Sequence, residues 1–406
     1  MFGVLREMSA SKVSAGILLV MYYHARLMGM LSFKVEWSQR IDNNGHMVME
    51  LRAHHRPWLM WFCVIYRIVA MGILGYLYCL WIQRLEEYME KVSHVLRIII
   101  ITLICIYIVR LQLLHRAEII QLVNACLHLF RRVRALPSRK TFVGYGGWRE
   151  LLLLLLSLGC RIHELVFLFD VLGGFSLRNI VTWWCHTLIV FGTNMLMYIS
   201  FVYYLSLGIL YSELNDFVRC ELRGQLQSLQ RKHGLQPGRQ QLRIVRRKLD
   251  ECLALYREIY CLATSFQKLF DAPFFLSIMH NYLFLGVVIY KLTVDGWFDE
   301  HKTQLCFLIT KVILDFLLVT LSVQGAMTQF RVIRRLSLEN CDVSEHKDWH
   351  TTFDMFVTHL NLYEFRVRPL GLFDVSNELV LVFLSALFTF VIYILQYKMK
   401  SKEEGE

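Results

Sequence analysis

Proline is scarce in this chain of 406 residues, which carries only Pro57, Pro137, Pro237, Pro273 and Pro369. All five read as markers at or between segment boundaries, where a residue without a backbone donor does least harm. Charge is also thin. Charged residues make up 19% of the chain against 56% hydrophobic, a balance that excludes an ordinary soluble protein. No Asn-x-Ser/Thr sequon occurs anywhere, which fits very short outer loops. The eleven cysteines repeat at no short spacing, and Cys252 with Cys261 lacks a second ligand pair. Neither a disulfide framework nor a zinc site is supported. The glycine-rich Val143–Trp148 segment follows no strand pattern and leads to no Lys-Ser/Thr, so it reads as a linker and not a phosphate loop. His54-His55 stands without partner ligands, and no Ser-His-Asp set, paired catalytic carboxylates or cofactor fingerprint emerges. No catalytic residue, metal or cofactor is expected, and nothing points to an enzyme.

What the chain has instead is long apolar runs. A spanning helix needs about 20 mostly apolar residues. Seven runs qualify: Trp58–Trp81, Val95–Leu114, Leu151–Leu172, Ile180–Tyr211, Phe274–Val294, Leu305–Met327 and Leu379–Gln396. The fourth exceeds one bilayer crossing and is expected to continue as helix into the loop after it. Leu151 to Leu156 read as lipid-facing bulk. The stretch Val13–Phe33 holds His24 and Arg26 between cationic flanks, which suits an interfacial or re-entrant helix better than a span. It shows no small-x-small cleavage site of a signal peptide.

The net charge of +11 is distributed by connection. Lys/Arg number seven, eleven and six in connections two–three, four–five and six–seven, but two, one and one in one–two, three–four and five–six. That alternation places the amino terminus in the cytosol and the carboxyl terminus outside. The basic charge therefore marks topology and contact with anionic membrane lipids, not nucleic acid.

The inner connections are long. Between residues 213 and 272, Leu242, Val245, Leu249, Cys252, Tyr256, Ile259, Ala263, Phe266 and Phe270 step by three and four without a break. Leu214, Phe217, Leu222, Leu226 and Leu229 form a rougher stripe before them, and His233–Gly238 breaks the two apart. The segment is expected to fold as a helical hairpin that packs within one subunit or serves as a cytosolic assembly base. Trp349, Phe353, Phe356, Leu360 and Tyr363 carry a third stripe. The division expected is an amino-terminal segment 1–57, spans one to four in 58–212, the hairpin 213–272, spans five and six in 273–327, a cytosolic helical segment 328–375, the last span 376–397 and a tail 398–406.

Charges inside spans are costly, about 2.5–3.5 kcal/mol each on insertion scales. Lys311 and Asp315, four apart, can pair on one helical face, as can Arg161 and Glu164, three apart. The outer halves of spans three to six would then enclose a cavity, with His163, Phe167, Asp170, Trp183, Trp184, His186, Thr187, Tyr282, Tyr290, Phe307 and Lys311 as candidate lining. Aromatic walls with a few polar groups describe a small-molecule site in general. The two tryptophans equally suit interfacial anchors.

The last span closes Thr389-Phe390-Val391-Ile392-Tyr393-Ile394-Leu395-Gln396-Tyr397. A helix with one polar row on an apolar body suits the wall of an aqueous pore. The string resembles the terminal signature of insect gustatory receptors: Thr-aromatic, five hydrophobics, Gln-aromatic. The resemblance implies an all-α, polytopic membrane protein of seven transmembrane helices, with four subunits around a pore made by the last span. It implies a cation channel opened by a tastant, with Gln396 facing permeating ions and Tyr397, with Tyr393, at the gate. A homo- or hetero-tetramer in the plasma membrane of a sensory neuron follows from it, as does a ligand pocket among the outer halves of the other spans. A G-protein-coupled receptor would need an Asp/Glu-Arg-Tyr triplet and Asn-Pro-x-x-Tyr, both absent, and the opposite charge bias. An odorant-receptor-type channel shares the topology. A secondary transporter would show broken helices or internal repeats, and no repeat is visible.

Overall fold

A computed structural model describes residues 2–41, 47–85, 88–136, 145–171, 176–219, 239–294, 302–335, 354–355, 358 and 365–403. Each apolar run lies on a helix, because backbone polar groups in hydrocarbon must be satisfied within their own segment. The helices are α1 (Phe2–Leu27), α2 (Pro57–Arg84), α3 (Tyr88–Leu113), α4 (Arg116–Arg134), α5 (Trp148–Val171), α6 (Leu177–His186), α7 (Gly192–Phe217), α8 (Arg239–Val294), α9 (Lys302–Arg335) and α10 (Asn377–Glu403). A π-helical turn, Thr187–Phe191, joins α6 to α7 without interruption. Among the described residues five helical stretches are long and apolar enough to cross a membrane: Pro57–Arg84, Lys91–Leu113, Asn179–Phe217, Arg246–Tyr290 and Leu305–Val332. α10 adds the shorter apolar stretch Asn377–Tyr393.

The amino-terminal segment departs from expectation. Helix α1 spans Phe2–Leu27, not Val13–Phe33, and Gly29 at φ +65° turns the chain out of it. Two antiparallel strands follow, β1 (Phe33–Ile41) and β2 (Met47–His55), with Phe33 opposite His55 and Ile41 opposite Met47. The alternation Phe-Lys-Val-Glu-Trp-Ser-Gln-Arg-Ile carries the period of a strand and contains no long apolar run. α4, equally unforeseen, pins this hairpin: Asn124 accepts from the Ala53 amide at 2.8 Å and donates to its carbonyl at 3.2 Å. Arg131 bonds to Glu50 alongside.

α8 is a single 56-residue helix with Pro273 inside it, a correction to the reading of that proline as a boundary. Beside it, Asp271 accepts a hydrogen bond from Leu370 N at 2.9 Å, tying α8 to the turn that leads into α10. In the same turn Arg368 bonds to Asp374 at 2.6 Å, and that hydrogen bond holds the carboxyl below its usual range. The heptad stripe is buried from Leu249 to Phe266. Tyr256 stacks on Phe330 of α9 and meets Tyr211 of α7, while Phe266 stacks 3.7 Å from the Tyr203 ring. Packing within one chain therefore consumes this face. Leu242 and Val245 side chains, the His233–Gly238 break, Leu222, Leu226, Leu229 and the third stripe lie outside the described residues.

α5 corrects another reading. Leu151 and Leu154 are buried while Leu152, Leu155 and Leu156 are exposed, so helical period, not composition, sorts the leucine run. Ahead of it Tyr145 is docked, with its hydroxyl 2.7 Å from Ser206 Oγ, and Gly146 at φ +61° makes the turn. Val143 and Gly144 are outside the described residues.

Candidate functional site

The two intrahelical ion pairs spaced out in the sequence form one buried network. On α9, Lys311 Nζ lies 2.8 Å from Asp315, and on α5, Arg161 lies 2.6 Å from Glu164. Lys311 also reaches Glu164 at 3.1 Å, so the four charges alternate and cancel. α7 supplies the remaining partners: Asn194 Nδ2 donates to Glu164 at 2.7 Å, Tyr198 donates to Asp315, and the Tyr198 ring lies 3.3 Å from the Arg161 guanidinium carbon. α8 joins through Asn281, whose amide donates to Asn194 at 3.2 Å. All four ions are 3–4% exposed, which is tolerable only because each has an opposite charge within bonding distance.

The other candidate pocket residues fall into separate groups. His163 is half-buried, its ring 5.5 Å from that of Phe307, which is exposed. Trp183 and Trp184 lie 6.2 Å apart; Trp184 is exposed and meets Tyr66 of α2 at 5.9 Å. His186 ends α6 against Phe191, and Thr187 is buried at the start of the π turn. Tyr282 packs on Phe383 of α10 at 5.2 Å, and Tyr290 is half-buried two turns further along α8. Phe167 and Asp170 lie in the last turns of α5, with side chains outside the described residues.

A cavity of about 570 Å³ lies between α1, α3, α4, α5, α7 and α8, walled by residues such as Met21, Leu122, Cys126, Leu158, Ile199 and Phe270, and none of the eleven candidate residues lines it. Its position follows from α1, expected only as an interfacial or re-entrant helix, and from α4, which the apolar runs do not include.

α10 has two unlike faces. Leu387 is buried and Phe383 packs on Tyr282 and on Phe316 of α9. Val382, Ser385, Thr389, Ile392, Tyr393 and Gln396 are exposed. Thr389 Oγ1 donates to the Ser385 carbonyl at 3.0 Å, so its hydroxyl is held against its own helix. Tyr397 belongs to α10, with its side chain outside the described residues.

Sequence reasoning missed Asn194, Tyr198 and Asn281, which are ordinary polar residues until the helices meet. It also missed Arg97 of α3 and His280 of α8, joined at 3.3 Å and buried. A charge inside the second apolar run was the signal that could have found the first. Among the described residues no group of three His, Cys, Asp or Glu could hold a metal, and the nine described cysteines are free.

Comparison with known proteins places this architecture. The profile of the 7tm chemosensory receptor family matches residues 18–401. Gustatory receptor 93c of Drosophila melanogaster is 35% identical over 402 residues, covering 98% of each chain. Gustatory receptor 92a of the same fly is 36% identical, covering 98% of this chain and 99% of that one. In structure the chain is similar to the insect olfactory receptor OR5 from Machilis hrabei, with a TM-score of 0.64 at 10% identity, over 94% of this chain and 97% of that chain. With its spans, its match along nearly the whole length and its relatives in view, the chain belongs to the 7tm chemosensory receptor family, as a multi-pass membrane protein among the gustatory receptors.

Proposed function

We propose that this chain is a taste receptor that is itself a ligand-gated, nonselective cation channel in the plasma membrane of a sensory neuron. Four copies, identical or mixed with other gustatory receptors, would surround a pore walled by α10. The observation that carries this reading is the asymmetry of α10: one face packs on α8 and α9, and the opposite face stays bare and carries Thr389, Tyr393 and Gln396. A helix so divided suits a pore wall, with amide oxygen and aromatic hydroxyl able to accompany cations and the rings of Tyr393 and Tyr397 able to shut the passage. The charge alternation orients the amino terminus to the cytosol. The heptad face of α8 is already spent within the chain, so an assembly base would use the remaining surface of that helix.

The tastant would be a small organic molecule entering from outside. Two similar proteins support that class: gustatory receptor for bitter taste 93a of Drosophila melanogaster, 22% identical over 84% of this chain, and the OR5 receptor described in complex with eugenol. Tyr282 and Phe316, both against Phe383, each follow a member of the buried network, Asn281 and Asp315. A ligand that shifts α5 against α9 thus has a short mechanical route to the pore helix. Binding that favours a splayed set of α10 helices would open the gate by its differential affinity for that state. The test is current recording from cells expressing the chain while tastants are applied. Rapid nonselective currents whose permeation changes in Gln396→Ala support the channel; substrate-coupled uptake with no such current overturns it in favour of a transporter.

A further inference from the structure

Four lysine or arginine side chains are buried among the described residues: Arg67, Arg97, Arg161 and Lys311. Arg161 and Lys311 face carboxylates and Arg67 faces backbone carbonyls, although Arg67 Nε and Nη1 and Arg161 Nε and Nη2 meet no hydrogen-bond partner among the described residues. Arg67 donates to the Met28 and Gly29 carbonyls, at 3.1 and 3.4 Å, and to Met30 Sδ. Arg161 and Lys311 share Glu164, and Lys311 also pairs with Asp315. Arg97 has none of this kind. Its Nε donates to His280 Nε2 at 3.3 Å, and its guanidinium carbon sits 4.2 Å from the Phe284 ring centroid.

This contact settles the histidine's tautomer. Guanidinium nitrogens carry hydrogen and cannot accept, so His280 Nε2 must be the bare nitrogen and Nδ1 must hold the proton. His280 is 1% exposed, and its Nδ1 meets no hydrogen-bond partner among the described residues. The pair thus presents donors only. Trp183 Nε1, His186 Nδ1 and Thr187 Oγ1, also buried without such a partner, follow closely in sequence at the end of α6. Arg97, Lys311 and His186 all lie within electrostatic range of His280. His186 and Thr187 stand where α6 passes into the π turn, a distortion that often marks functional sites. A buried guanidinium with no carboxylate within bonding distance, beside a buried imidazole N–H without an acceptor, describes a site for an anionic acceptor.

We propose that Arg97 and His280 form an anion-binding point and that this receptor recognises small ligands bearing a carboxylate. The proposal rests on the reading of the chain as a small-molecule receptor and deepens it by naming the ligand class. A carboxylate takes two parallel N–H bonds from the guanidinium and leaves a lone pair for His280 Nδ1–H. An inorganic anion such as chloride carries the same acceptor chemistry, and the experiment separates the two.

Thermal unfolding of the purified full-length chain is followed with acetate, benzoate, benzyl alcohol, chloride or sulfate, each added over the same low-salt buffer. This readout needs no current, so its outcome is independent of whether the protein conducts. Benzoate or acetate is expected to raise Tm saturably and benzyl alcohol to leave it unchanged. Arg97→Gln is expected to abolish the shift, and Arg97→Lys and His280→Phe to weaken apparent affinity about tenfold each, one charge-assisted bond's worth. If Arg97→Gln does not fold, the other two variants carry the test. A saturable chloride or sulfate shift with the same dependence supports the anion point and assigns it to an inorganic ion. Equal shifts from benzyl alcohol, shifts that survive in the variants, or no shift from any probe overturn the proposal.

Discussion

Glu164 is the residue on which the interior of the bundle turns. It accepts from Arg161, Lys311 and Asn194, drawn from three helices, and replacing it with a neutral amide leaves Lys311 with Asp315 and Arg161 with no carboxylate in bonding distance. Glu164→Gln is therefore expected to lower stability by about 3–5 kcal/mol, the usual cost of breaking a buried pair. Lys311→Met with Asp315→Leu, which removes one charge of each sign, should cost less than Lys311→Met alone. Thermal unfolding of the solubilised receptor checks both, and equal losses in the single and double variants would refute the network. The Arg368–Asp374 pair is equally short at 2.6 Å, yet both partners are 45–47% exposed, and its removal should change stability by less than about 1 kcal/mol. Spacing of three and four in the sequence made each intrahelical pair legible. Their fusion through the Lys311–Glu164 contact was not, because nothing in a linear chain states which helix faces which.

At the scale of elements, α8 shows both outcomes. Its stripe of threes and fours announced an amphipathic helix, and Leu249, Cys252, Tyr256, Ile259, Ala263 and Phe266 are all buried. Ile259→Ala should cost about 2–5 kcal/mol as a cavity forms in that seam. Ile244→Ala, exposed on the same helix, should stay within about 0.5 kcal/mol. Similar losses at both sites, measured by thermal unfolding, would mean that the stripe is not the packed face. Pro273 inside α8 was illegible because a proline's local cost predicts a boundary, and the long helix overrides it through contacts on either side. The β1–β2 hairpin was missed for the opposite reason: its period-two alternation was present, but short, charged strands make no long apolar run.

For the whole molecule, Lys and Arg counts alternate along the connections, and that pattern predicts an orientation without reference to any contact. An epitope placed after Glu406 should bind antibody on intact, unpermeabilised cells. Staining only after permeabilisation would reverse the orientation and remove the outward mouth of the proposed pore. Composition and period alone dictated that apolar runs become helices and that amphipathic stripes bury one face, since both follow from solvation of the local segment. The charge pattern sets the expected orientation in the same way. Tertiary structure decided which faces meet. It merged two ion pairs into one network, placed the 570 Å³ cavity beside α1 and α4, and set Arg97 against His280, residues 183 positions apart. Such pairings depend on helix rotation and depth, which distant residues settle together and no single stretch of chain encodes.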